Sequence, residues 1–63
     1  MKAFLFLFNF TTFKLESVKF FGASKFNRNK VYNVGGSVRG LGVLVHAPSE
    51  AEARAFYNEN PVY

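Results

Sequence analysis

Residues 3–10 read Ala3-Phe4-Leu5-Phe6-Leu7-Phe8-Asn9-Phe10, and the fold turns on how that run is folded. The run is bulky, rich in aromatic rings and too short to stand as a helix, so it predicts a strand. Strand alternation puts Phe4, Phe6, Phe8 and Phe10 on one face and Leu5 and Leu7 on the other. Both faces are apolar, so both require cover. Met1-Lys2 ahead of the run gives it the outline of a secretory leader. The apolar stretch is too short, Asn9 closes it, and no small-x-small cleavage site follows directly. A membrane span needs about 20 apolar residues. Neither a leader nor a span is expected.

Outward from this strand, Thr11 and Thr12 are candidate helix N-caps. Leu15, Val18 and Phe21 then recur at three-residue spacing, which reads as a short amphipathic helix ending at Gly22. A second strand over 13–21 is the alternative, because Phe13, Leu15 and Val18 suit one equally. Residues 25–34, with Phe26, Val31, Tyr32 and Val34, read as a strand, and Gly35-Gly36-Ser37 as a turn or hairpin tip. Residues 38–46 read as a strand weakened by Gly40 and Gly42, unless something approaches the backbone there. The last element is the best specified. Ser49 caps a helix and Glu52 completes a capping box; Glu50 can pair with Arg54, and Ala53, Phe56 and Tyr57 form an apolar stripe. Pro61 stops it by about Asn58. The expected fold is one α+β domain over residues 1–63, ordered β-α-β-β-α, with helices on one face of a small sheet.

Charge is uneven along the 63 residues, whose formal net charge is +4. Residues 1–32 carry Lys2, Lys14, Lys19, Lys25, Arg28 and Lys30 against Glu16, a net +5; residues 33–63 carry Arg39 and Arg54 against Glu50, Glu52 and Glu59, a net −1. A basic half fits an acidic partner such as nucleic acid, or a solvated surface that keeps a sticky chain apart. The chain has no cysteine, which removes disulfides, thiolate metal sites and thiol nucleophiles, and fits a cytoplasmic location. It has no Asp, and three of its four Glu lie on or at the end of the last helix. His46 is the single histidine, with no thiol or Asp to work with, and reads as a strand residue packed near the core. Gly35-Gly36 and Gly40-x-Gly42 enter a strand instead of opening a helix, which excludes a phosphate loop. The expectation is a binding protein without catalytic residues, metal or cofactor.

Two segments resemble a known family. Leu5-Phe6-Leu7-Phe8-Asn9-Phe10 is similar to the strand-1 hexamer of RNA-recognition motifs, aliphatic-aromatic-aliphatic-x-Asn-aliphatic. Arg39-Gly40-Leu41-Gly42-Val43-Leu44-Val45-His46 resembles that family's strand-3 octamer. The resemblance covers roughly residues 4–58 and implies a ferredoxin-like β-α-β-β-α sheet that binds single-stranded RNA. Under it, Phe6 would stack a base, helped by Phe4, Phe8 or Tyr32, while Lys25, Arg28, Lys30 and Arg39 would hold phosphates. Leu41 and Val43 depart from it, standing where the family carries its other two stacking rings. The fourth strand of the family is also missing.

If the first and third strands of that layout are neighbours, one sheet face gathers Phe4, Phe6, Phe8, Leu41, Val43 and Val45. A helix-free face of that kind would be an apolar patch that needs a partner. Stacked bases are one occupant. Another protein is the second, and aliphatic residues at 41 and 43 favour it; in size and composition alone the chain resembles the inhibitors that phages direct at host proteins. A second copy joined sheet to sheet is the third. The stretch Val45–Ala53 followed by Asn60-Pro61 resembles the dimeric, ferredoxin-like YciI-like proteins, although their acidic residue before the proline is Asn60 here.

Overall fold

β1 (Lys2–Phe8) lies inside the sheet, with a strand on each side. The computed structural model describes residues 1–37 and 40–63. Along the chain follow β2 (Leu15–Ala23), β3 (Lys30–Ser37), β4 (Gly40–Ala47) and α1 (Glu50–Glu59). The four strands form one sheet in the order β2-β1-β4-β3, antiparallel throughout. It is two hairpins set side by side, joined where β1 pairs with β4 from Lys2↔Ala47 to Phe8↔Leu41.

The chain is α+β as expected, but it has one helix among the described residues, not two. The stretch after Thr12 is strand β2, the alternative reading, and the expected β-α-β-β-α order is β-β-β-β-α instead. The reason is tertiary. With β4 on one side only, β1 would expose a row of unpaired backbone groups along its other edge. β2 fills that edge, from Lys2↔Ala23 to Phe8↔Leu15. Thr11 and Thr12 do not cap a helix; they belong to the turn that folds β2 back. Asn9 organises this turn: its Oδ1 accepts the Thr11 and Thr12 amides at 2.7 and 3.0 Å, and its carbonyl accepts Phe13 N–H at 2.7 Å. Phe13 sits at φ 60°, a left-handed position that is uncommon for an aromatic residue.

Gly35 and Gly36 do not form a hairpin tip either. They lie inside β3 and pair with Gly42 and Leu41. Gly40 answers why β4 carries glycine: its φ is +142°, and a Cβ there would stand 2.5 Å from the Phe8 carbonyl oxygen across the sheet.

α1 opens as its sequence predicts. Ser49 Oγ accepts Glu52 N–H at 3.2 Å and Arg54 Nε meets Glu50 Oε2 at 3.0 Å. The helix runs one turn position past Asn58 to Glu59, with Asn60 as its C-cap. It lies on the sheet with Ala53 and Tyr57 buried against Phe6, Phe8, Val43 and Val45. The tail folds back on the helix: Tyr57 Oη accepts the amides of Val62 and Tyr63 at 3.0 and 2.8 Å.

Candidate functional site

The rings expected to face a ligand are the core. Phe4 is 5% exposed, Phe6 1%, Phe8 3% and Val43 0%; only Leu41 is half-buried. Alternation grouped these residues correctly, since Phe4, Phe6 and Phe8 pair with Val45, Val43 and Leu41 on one face. The assignment of that face to solvent is the error, because α1 lies on it. The physical reason is area. The Phe/Val face buries far more apolar surface than its opposite, which offers Leu5, Leu7 and Leu44 beside Ser17, Lys19 and Gly42. Phe6 therefore meets the Tyr57 ring at 5.5 Å and has no face free for a base.

The remaining expected contacts fall on the other side. Residues 24–29 connect β2 to β3 around the Lys2/Ala47 end of the sheet, and Lys25 and Arg28 are exposed in this loop. Its Phe26 packs edge-on against His46, 4.7 Å between centroids, and on Tyr32 at 5.6 Å. Lys30 Nζ lies 4.9 Å from the centre of the Phe26 ring, and Tyr32 is 43% exposed. Lys25, Arg28, Lys30 and Tyr32 thus share one end of the molecule, apart from the buried Phe residues. Arg39 lies outside the described residues.

His46 is buried, as its sequence context predicts, but it has a partner that the sequence did not suggest. Ser24 Oγ stands 2.6 Å from its Nδ1. The same Oγ accepts Phe26 N–H at 3.2 Å. Burial, and less strongly the charge of Lys30, hold the His46 pKa below its ordinary 6.5. A hydroxyl against a neutral imidazole is also the pairing of a nucleophile with its base. Here the ring is packed between Phe26 and Tyr32, and the pair clasps the loop onto the sheet.

The opening in the surface is on the helix side. α1 packs chiefly on β4, and the β2 half of that face has no helix over it. Phe20 is 63% exposed there, touching Phe4 edge-on at 5.9 Å, with Leu15 at 38% and half-buried Val18 along the same strand. Phe13, 55% exposed, stacks on Tyr63 at 6.3 Å at the far end. A cavity of about 360 Å³ opens between this strip and α1, lined by Phe8, Phe13, Leu15, Arg54, Tyr57 and Tyr63 among others. Spacing alone hides this strip, because Leu15, Val18 and Phe21 also suit the apolar stripe of a short helix. The signal was present in Phe20-Phe21, which sits badly in a one-sided helix and well on an edge strand.

Among the described residues no three His or Glu side chains gather as metal ligands, and no helix is long and apolar enough to cross a membrane. Comparison with known protein families, with curated proteins and with solved structures finds no match to this chain.

Proposed function

We propose that this chain is a non-enzymatic module that binds another protein through the strip of helix-side sheet left open beside α1. One contrast carries the reading: on a single face Phe6 is 1% exposed while Phe20 is 63% exposed. The face is built as core throughout, yet the chain supplies cover for only half of it. Monomers rarely leave such a patch bare, and aromatic rings are what the buried centres of protein interfaces are enriched in. Leu15 and Val18 in the strip pack against protein and offer a base no π-face.

Single-stranded nucleic acid is the second reading. Phe20 and Phe21 are both exposed, and exposed rings suit stacked bases. It ranks below the first because the Phe20 edge and the aliphatic residues beside it form a cleft more than a platform.

The test is an unbiased selection of displayed peptides against the folded chain, mapped by backbone amide shifts, beside a titration with mixed-sequence single-stranded RNA. Binders that shift Phe13, Leu15, Val18 and Phe20 support the proposal. RNA binding that weakens steeply with salt, with no peptide on the strip, would transfer the function to nucleic acid.

A further inference from the structure

We infer that the partner element is an amphipathic α-helix with an acidic polar face, lying beside α1 over β2; this rests on the protein-binding reading above.

The width of the opening is the first argument. Four strands spaced about 4.8 Å apart make a layer about 19 Å across, and a helix with its side chains is about 10 Å wide. α1 lies over β4, and its Tyr57 ring covers Phe6 and Phe8 of β1. The lane over β2 remains open, two strand spacings from β4, which matches the about 8–10 Å between packed helices. Its floor is Leu15, Val18 and Phe20, its near wall is the Arg54–Asn58 side of α1, and its Phe8 end holds the cavity.

The edge of the sheet argues against a strand as occupant. β2 carries register shifts against β1 between Ala3 and Phe4 and between Leu7 and Phe8, which leave Phe21 and Glu16 as extra residues. Bulges of this kind interrupt the ladder that an added strand must continue. The occupant therefore lies on the face, not along the edge.

A second copy is also a poor fit. The helix it would offer, α1, turns Glu52, Arg54, Ala55 and Glu59 to solvent and has no second apolar stripe. Charge then sets the chemistry of the partner. Among the described residues the one ion pair is Arg54 with Glu50, leaving Lys2, Lys14, Lys19, Lys25 and Arg28 unpaired. Lys2 stands at one end of the lane, paired in register with Ala23, and Lys14 at the other, just before Leu15. Glu16 is the single acidic residue on that strand. A net charge of +4 repels another copy and attracts an acidic surface.

The length follows as well. β1 has seven residues, about 23 Å at ~3.3 Å per residue, which a helix matches with about 15 residues.

The experiment selects binders from two displayed libraries of about 15 residues, one framed to be helical and one held extended, and then synthesises the enriched peptides. Helical, Glu-rich peptides with apolar residues at i, i+3, i+4 and i+7 should win and gain helicity on binding. Their amide shifts should fall on the lane, and Phe20→Glu and Phe13→Ser should each weaken them about ten-fold or more. Changing the peptide Glu residues to Lys should also weaken binding about ten-fold or more. Two variants are used so that one folded variant suffices, judged by its amide spectrum. Extended or basic binders on the same lane would overturn the helix inference and leave the protein-binding reading standing. No lane binder from either library would end both.

Discussion

Ser24 Oγ lies 2.6 Å from Nδ1 of His46, joining the loop after β2 to the strand next to β1 across 22 residues of sequence. The same oxygen accepts the Phe26 amide, so one atom ties the loop to the strand. Burial of this imidazole gives the clasp a pH dependence.

The His46 pKa is lowered in the fold by burial and then by Lys30. The unfolded chain takes up a proton near 6.5, so below that value it binds more protons than the folded one. The contribution of His46 is complete above 6.5 and is lost as pH falls from there through the lower folded value. Urea midpoints at about pH 8 and about pH 5 should drop for the wild type and much less for His46→Gln. Equal drops would show that another group sets the acid limit.

Phe6→Ala should cost about 3–5 kcal/mol, as emptying a packed aromatic site does. A core this small supplies about 3–5 kcal/mol in total, so the variant should be largely unfolded by circular dichroism. Phe20→Ala, on the same face, should stay within about 0.5 kcal/mol of wild type. A folded Phe6→Ala would mean that the ring is not under α1.

Tyr57→Phe removes one oxygen that accepts two amides, those of Val62 and Tyr63. The ring would remain packed on Phe6 and Phe8, so the expected loss is about 1 kcal/mol. The diagnostic readout is local. Hydrogen exchange at Val62 and Tyr63 should accelerate well before that of β1.

Ser49→Ala deletes the acceptor of Glu52 N–H and should lower stability by about 0.5–2 kcal/mol. Ser49→Asp should restore most of it, since a carboxylate caps and complements the helix dipole. The pair of melting curves separates a lost cap from any other effect of shortening the side chain.

Gly40→Ala should be costlier than an ordinary surface change. Its backbone is at φ +142° and the new methyl would meet the Phe8 carbonyl at 2.5 Å. The expected loss is above about 1 kcal/mol, seen as a lower urea midpoint. Gly22→Ala has open space around it and tests the backbone contribution by itself.

Local chemistry alone determined the parts of this protein that depend on near neighbours. Ser49, Glu52 and Pro61 specify α1 because a cap and a stop act within one turn. Phe4 to Phe8 specify a strand, and their alternation with Val43 and Val45 specifies which rings share a face. Three decisions belonged to the tertiary structure. Leu15 to Ala23 suit helix and strand alike, and the unpaired edge of β1 settled the matter from outside the segment. Alternation sorts residues onto two faces but does not say which face a distant helix will cover; burying the larger apolar area put α1 on the Phe side. The partnership of Ser24 with His46 arises only because the loop between the two hairpins rounds one end of the sheet. The open strip beside α1 has the same origin. One helix is narrower than four strands, and that mismatch exists only once the sheet has formed.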